Sequence, residues 1–341
     1  MLQPPRKMPS CATLALGVGG FQKMTERRRL GSMRILITGA SGLIGSAAVH
    51  SFTSGGHEVI GLGRSGPAGP GRAVWDPEKD EIDKAALEGF DAVVHLAGEN
   101  IAAARWTEEQ KARILNSRVN GTRLISEALA GLAKPPKVLV AASATGFYGN
   151  RGDESLDESS SAGSNFLAQV CIPWEKATEP AQQTGIRVVN LRTGVVLAAD
   201  GGALAKMITP FKFGLGGRIG SGRQYMSWIE ISDVVGAINH AVATESLRGP
   251  VNAVAPNPVT NAEFTATLGK VLSRPTFFTM PAFAAHMAFG EMADELLLGS
   301  TRVYPKRLLE SGYKFRFGDL EAALAHILGS EARHKTHAAS R

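Results

Sequence analysis

From Met33 onward, short β-branched runs alternate with segments of helical period. Arg34-Ile35-Leu36-Ile37-Thr38 predicts a strand, and the apolar spacing from Leu43 to Phe52 predicts a helix. His57 to Leu62 reads as a second strand and Ala73-Val74-Trp75 as a weaker one. Asp91 to Ala97 is apolar on both faces, as in the interior of a parallel sheet. A long helix is predicted over Thr107 to Leu132, with Thr107 as cap and Glu108 and Glu109 in its first turn. Lys137 to Ala142 reads as a buried strand, Ser164 to Thr184 as a helix and Ile186 to Leu191 as another strand. Such alternation predicts an α/β fold built on a doubly wound parallel sheet.

Past about residue 195 the pattern loosens. Gly201-Gly202 and the glycine-rich stretch Phe211 to Gly222 read as irregular connections. Helices are predicted over Ser232 to Thr244 and Asn261 to Leu272, with a short strand at Val251 to Val254 between them. Pro281 to Lys306, rich in Ala, Met and Leu, reads as further helix. The expected organisation is a disordered extension over 1–32, a sheet domain over 33–195, a smaller mixed C-terminal cap over 196–328, and a disordered tail over 329–341.

Composition narrows the function. With 44% hydrophobic and 20% charged residues the chain is globular, and its 39 glycines in 341 residues exceed the ordinary share. Extra glycine without a collagen repeat points to tight turns and to backbone approaching a ligand. The net charge of +6 would suggest nucleic acid if it were spread over the body. Instead it sits at the ends: Arg6, Lys7, Lys23, Arg27, Arg28 and Arg29 against Glu26, and Arg333, Lys335 and Arg341 against Glu331. The near-neutral body offers no footprint for a phosphate backbone, so no nucleic-acid partner is expected. No apolar run reaches eighteen residues, so no membrane span is expected. Cys11 to Gly20 faintly resembles a signal segment, but its glycines and alanines dilute the hydrophobicity. The two cysteines, Cys11 and Cys171, make no disulfide framework, which suits a reducing, cytoplasmic setting. The eight histidines show no metal-ligand spacing, so no metal is expected.

The candidate chemistry begins at Thr38-Gly39-Ala40-Ser41-Gly42-Leu43-Ile44-Gly45, between the first strand and the first helix. In a G-x-x-G-x-x-G turn Gly39 permits the sharp bend, Gly42 admits the pyrophosphate and Gly45 lets the helix pack closely. The phosphates then lie at the positive helix N-terminus. The second strand ends Gly63-Arg64-Ser65, with no acid to hold ribose hydroxyls. A guanidinium there suits the 2′-phosphate of NADP; the plainer alternative is an arginine on a solvated loop.

These motifs resemble the short-chain dehydrogenase/reductase superfamily, in its extended or atypical branch. The resemblance narrows on Trp75-Asp76-Pro77, His95-Leu96-Ala97-Gly98-Glu99-Asn100-Ile101, Arg105-Trp106, Ser117-Arg118-Val119 and Trp174-Glu175. Leu191 to Leu197, Ser227-Trp228-Ile229 and Gly290-Glu291-Met292-Ala293 add to it. Together they are similar to the sugar-nucleotide-epimerase-like family, which carries its own C-terminal segment, matched here by roughly 250–325. The resemblance spans Met33 to about Leu328 and implies a Rossmann-type fold with NADP(H). It further implies that Leu96, Ala97 and Gly98 lie along the adenosine and ribose, with Glu99 and Asn100 starting the loop toward the nicotinamide side, as candidates to meet the substrate. Arg118 stands where superfamily members often have Asn; it either reaches cofactor phosphate or ribose, or is a solvated helix charge. The Arg192 to Val196 segment is implied to border the nicotinamide. Arg223 and Trp228 are candidates for the substrate cleft, with aromatic core the alternative for Trp228.

One departure is sharp. The superfamily uses a Ser or Thr after the fifth strand and a Tyr-x-x-x-Lys pair on the next helix. Ser143 fits the first position, but the pair falls on Leu167 and Cys171, and no Tyr-x-x-x-Lys occurs anywhere in the chain. Ser143 and Tyr148 are the substitutes expected to polarise a carbonyl. Glu175 and Cys171 read as structural, His95 as a satisfied core residue, and Asp153, Glu154, Asp157 and Glu158 as a solvated acidic loop. Two functions fit: an NADP(H)-dependent oxidoreductase or epimerase acting on a small polar molecule, or an NADP-binding redox sensor without turnover.

Overall fold

Ile35 and Ile37 point to one face of the first strand, β1 (Arg34–Thr38), and Leu36 to the other; all three are fully buried. A strand buried on both faces needs helices on both sides, and the computed structural model, which describes residues 31–64 and 72–338, supplies them. In chain order β1 is followed by α1 (Leu43–Ser54), β2 (Glu58–Gly63), β3 (Arg72–Asp76), β4 (Glu81–Ile82), β5 (Ala92–His95) and α2 (Glu108–Ala130). Then come β6 (Val138–Ala144), β7 (Ser155–Leu156), α3 (Phe166–Lys176), α4 (Glu179–Gln183) and β8 (Arg187–Thr193). The second half contains β9 (Val195–Leu197), α5 (Gly202–Lys212), β10 (Gly217–Ile219), β11 (Tyr225–Met226), β12 (Trp228–Glu230), α6 (Ile231–Ala243) and β13 (Gly249–Ala253). It continues through β14 (Val259–Thr260), α7 (Asn261–Leu272), β15 (Phe278–Met280), α8 (Ala282–Phe289), β16 (Arg302–Val303), α9 (Lys306–Glu310) and α10 (Leu320–Ala338).

The main sheet runs β13-β8-β6-β5-β1-β2-β3-β4, parallel except where β4 turns back on β3. Ala48 and Phe52 of α1 pack with Val234 and Ile238 of α6 against Ile35 and Ile37. Leu124, Ile125 and Leu129 of α2 cover Leu36 from the opposite face. The chain leaves β1 toward β2 on one side and later returns to β5 on the other. Strand order therefore reverses at β1, where such folds open a crevice at the carboxyl ends of the strands.

Most predicted elements form within a residue or two. The helix predicted over Ser164 to Thr184 divides into α3 and α4, because Pro180 has no N–H to give and its ring excludes the carbonyl one turn back. The helix predicted over Pro281 to Lys306 is a further correction. Gly290 ends α8, a π-turn covers Asp294–Leu298, and Pro305 precedes α9. Gly201 and Gly202, read as irregular, are the entry to α5. The last helix passes Leu328 and runs to Ala338, into the stretch read as a tail. β13, from beyond residue 195, forms one edge of the main sheet. Among the described residues no helix is long and apolar enough to cross a membrane, and no His, Cys, Asp or Glu cluster suits a metal ion. The expectations for residues 1–30, Cys11 included, lie outside the described residues.

Candidate active site

The crevice starts at the glycine turn. Gly39 has φ +67°, and a Cβ there would lie 2.9 Å from the backbone of Leu96 and Ala97. Only glycine permits both the conformation and this approach of β1 to β5. The Gly42 amide closes the turn on the Gly39 carbonyl at 2.9 Å, and Ala40, Ser41 and Gly42 line its half-buried to exposed rim. Gly42 caps α1 with no side-chain hydrogen bond, and the first turn of α1 holds no acid. By contrast Thr107, Asn165 and Thr260 cap α2, α3 and α7 with side-chain oxygens. The amides of Leu43, Ile44 and Gly45 thus belong to a helix start with room for an anion, so the turn fits a dinucleotide pyrophosphate. Leu43 packs beneath Gly201 and Gly202, which brings the start of α5 and the half-buried Val196 to the same rim.

The neighbouring loop is fixed by a line of buried hydrogen bonds. Thr38 Oγ1 accepts from the Leu96 and Ala97 amides, each at 3.1 Å. With both lone pairs so engaged, its hydroxyl donates to His95 Nδ1 at 2.7 Å, which places the imidazole proton on Nε2. Nε2 donates to Thr122 Oγ1 at 3.0 Å, and the Trp174 indole donates to the same oxygen at 3.0 Å. Burial pulls the imidazole down to about 4, so the ring is neutral at physiological pH. His95 is the satisfied core residue the sequence suggests. Its pKa carries a sign. Below the ordinary histidine value of about 6.5 the unfolded chain binds a proton that the folded chain refuses. Stability should therefore fall by up to about 3 kcal/mol as pH drops from about 6.5 to about 4. Denaturant midpoints at pH 7 and pH 4.5 measure this, and His95→Gln should remove that share of the pH dependence. An unchanged profile in the variant would assign the titration to another group.

On the far side of β1, Gly63 ends β2 beside Val74, and Arg64 follows it, exposed. Ser65 lies outside the described residues. On the near side, Gly98 is exposed and the Glu99 amide is held by Ser117 Oγ at 3.1 Å. Asn100 Oδ1 accepts from the Ala102 amide at 2.9 Å, which closes a local turn. Arg118 is half-buried, not a solvated helix charge: its guanidinium lies 5.0 Å from the Trp174 ring.

Strand register builds the next part. Ser143 of β6 stands opposite Arg192 of β8, and Arg192 opposite Asn252 of β13. Arg192 grips Glu175 of α3 with both ends of its fork, at 2.7 and 2.8 Å. Ser143 Oγ donates to the same carboxylate at 2.6 Å. Arg192 also donates to the Tyr148 hydroxyl at 3.0 Å, and that hydroxyl donates to Asn252 Oδ1 at 2.7 Å. Tyr148 is fully buried, packed with Leu156, Val254 and Val303, and burial pushes its phenol upward. The expectation that it polarises a carbonyl is thereby corrected: both hydrogen-bonding directions of its hydroxyl are used within the protein. Ser143 likewise directs its proton to Glu175 and keeps only acceptor capacity. Trp228 is corrected as well, since it is wholly buried and its indole donates to the Asn257 carbonyl at 3.0 Å. Arg223 is exposed. Glu158 is not solvated; it is buried and accepts from the Asn252 and Arg307 amides.

Cys171 is buried beneath this network, its thiol donating to the Ala144 carbonyl and pushed up to about 12 by burial. It is inert as a nucleophile. Sequence reasoning did not weigh Thr38, Thr122 or Asn252, and read Glu175 without its partner Arg192. A polar residue at the carboxyl end of a buried strand was the available signal for Thr38 and Asn252. Glu295 was also missed: it accepts from the Phe166 amide at 3.1 Å and from the Asn165 side chain, steadying the start of α3 from the C-terminal segment.

Comparison with known proteins gives the family. Residues 35–253 match the NAD dependent epimerase/dehydratase family, and residues 280–327 match a domain of unknown function, DUF1731. The chain is 47% identical over 294 residues to an epimerase family protein of Mycobacterium bovis, covering 86% of this chain and 96% of that one. The structure of human epimerase family protein SDR39U1 with NADPH superimposes with a TM-score of 0.80 at 37% identity, covering 86% of this chain and 99% of that one. A nucleoside-diphosphate sugar epimerase from Corynebacterium glutamicum gives a TM-score of 0.74 at 38% identity, covering 91% of this chain and 62% of that one. The chain belongs to the NAD dependent epimerase/dehydratase family, in the branch that carries the DUF1731 segment behind its Rossmann-type sheet.

Proposed function

We propose that this chain is an NADP(H)-dependent oxidoreductase or epimerase that works on the hydroxyl-bearing carbon of a small polar substrate. The glycine turn Gly39 to Gly45 would hold the pyrophosphate and Arg64 the 2′-phosphate, while Leu96 to Gly98 would run along the adenosine and its ribose, with the loop from Gly98 onward turning to the nicotinamide side. Arg64 in place of an acid, and the NADPH in the human relative's structure, support NADP(H) over NAD. When bound, a nicotinamide dinucleotide supplies reversible hydride exchange with a carbon centre.

The observation that carries the reading is the direction of the Ser143 hydroxyl. Its proton is committed to Glu175, so the oxygen of this buried residue, 3% exposed, would meet a substrate alcohol as an acceptor. Ser143 Oγ takes the substrate proton while passing its own to Glu175 Oε1. Arg192 stabilises the carboxylate before transfer. In the reverse direction Glu175 returns the proton along the same line. A single such relay serves alcohol oxidation, carbonyl reduction and epimerisation through a transient ketone.

Turnover should be measured with NADP⁺ and NADPH over a panel of sugars, polyols and carbonyl compounds, followed by cofactor absorbance. Ser143→Ala should lower any rate by roughly a hundredfold or more while leaving NADPH affinity unchanged. Glu175→Gln should do the same, at some cost in stability from the freed Arg192. Full activity in Ser143→Ala would remove the relay. A second reading, a redox sensor without turnover, is favoured by Leu167 and Cys171 in the Tyr and Lys places. Tight NADPH binding by wild type with no turnover across the panel would select it.

A further inference from the structure

Arg118 is a cation with no ion pair among the described residues; one of its five N–H donors goes to the Ile114 carbonyl at 3.1 Å. Its guanidinium is set between the Trp174 ring and Gly98. A Cβ at Gly98 would lie 3.4 Å from both Cγ and Cζ of Arg118, so the side chain lies flat along the loop that follows β5. The acid nearest in effect, Glu99, acts only through space, and Glu175 is already taken by Arg192 and Ser143. Cys171, which also feels the charge of Arg118, offers a protonated thiol. A half-buried guanidinium with spare donors, opening beside an exposed glycine, calls for oxygen atoms from outside the chain.

Position decides which oxygens. Arg64 follows β2, on one side of the strand-order reversal at β1, and Arg118 lies beyond β5 on the other. A dinucleotide laid across that crevice with its pyrophosphate at the Gly39 to Gly45 turn puts one nucleoside on each side. With the 2′-phosphorylated adenosine at Arg64, the other ribose meets the Gly98 side. We infer that Arg118 binds the hydroxyl oxygens of the nicotinamide ribose, supplying from α2 a cation that α3 lacks at Cys171. The inference rests on the NADP(H) reading.

Calorimetric titration with NADPH, NADH and 2′,5′-ADP separates the two halves of the cofactor. Arg118→Ala should weaken NADPH and NADH alike by roughly ten- to a hundredfold and leave 2′,5′-ADP unchanged. Arg118→Met, which keeps the aliphatic stem over Gly98, should behave as Arg118→Ala does, and Arg118→Lys should recover part of the affinity. Arg64→Ala should show the complementary pattern, weakening NADPH and 2′,5′-ADP and sparing NADH. A purely structural Arg118 would lower the melting temperature and leave all three ligands at their wild-type affinities, which overturns the inference. Equal weakening of 2′,5′-ADP by Arg118→Met would also overturn it, placing the residue on the adenosine half. If wild type binds 2′,5′-ADP but Arg118→Met binds NADPH normally, the inference fails and the NADP(H) reading stands. If wild type binds neither NADPH nor 2′,5′-ADP, both fall together.

Discussion

Rebuilding the superfamily pair by the double change Leu167→Tyr and Cys171→Lys should destabilise the protein by about 3–5 kcal/mol and create no new reductase. Position 171 is 2% exposed, and the same burial that pushes the thiol up to about 12 penalises an ammonium there. Arg118 and Arg192 both bear electrostatically on this site, so a third cation meets repulsion from two sides. Glu175, the carboxylate that bears on position 171, is already bridged by the Arg192 fork. Tyrosine at 167 fares little better. Leu167 Cβ would lie only 2.9 Å from a Cβ at Gly146, so the helix and the loop after β6 leave no slack at that point. A melting temperature lower by roughly 10 °C, with Cys171→Lys alone giving most of the loss, is the expected result. NADPH should bind no better than to wild type. A stable double mutant that reduces carbonyl compounds would instead mark the chain as an ordinary dehydrogenase that has lost its pair.

The reason lies in how α3 is used. In this chain its inner face carries Leu167, Cys171 and Glu175, one helical turn apart, and only the last is polar. Glu175 ties β6 and β8 together through Ser143 and Arg192. That ionic cross-link would be strongly destabilising to break at one end, because the remaining charge would be buried alone. The helix has become a brace for the strand ends, and its titratable chemistry has moved one turn toward its C-terminus.

Much of the fold was legible because it is local. The apolar run of Ile35, Leu36 and Ile37 and the Thr107 cap each declare an element within a few residues. Pro281 to Lys306 misled for the same reason. Its Ala, Met and Leu content speaks for helix, and that outweighed Gly290, Gly299 and Pro305, which break the run. The glycine turn was legible as well, since its spacing encodes a backbone shape. The polar network was not. Ser143, Arg192 and Asn252 come from three strands, and only their register makes them neighbours. Thr38 and His95 are paired by register too, 57 residues apart, and no short motif announces a hydrogen bond across that distance. Tyr148 shows the converse error. A tyrosine in a loop at the sheet's carboxyl end looked available for chemistry, yet the second half of the chain, through Asn252, Val254 and Val303, closes over it.

Two substitutions in one turn should separate folding from cofactor binding. A Cβ at Gly42 would meet only the Gly39 carbonyl, at 3.3 Å, and Gly42 has φ −76°, which any residue adopts. Gly42→Val should therefore fold with a melting temperature near that of wild type. Its isopropyl group nevertheless stands at the exposed cap of α1, where the pyrophosphate must reach backbone amides, so NADPH affinity should drop by roughly a hundredfold or more. Gly45 is different. A Cβ there would lie 2.0 Å from the Gly39 oxygen and 2.8 Å from its carbon, both backbone atoms that cannot step aside. Gly45→Val must push α1 off the turn, and with it Ala48 and Phe52, which pack against Ile35 and Ile37 in the central core. That variant should lose cofactor binding and stability together. Circular-dichroism melts and NADPH titrations on both proteins give the comparison. If Gly42→Val melts like wild type and still binds NADPH with wild-type affinity, the phosphates do not lie on the first turn of α1, and the crevice must be entered from another side.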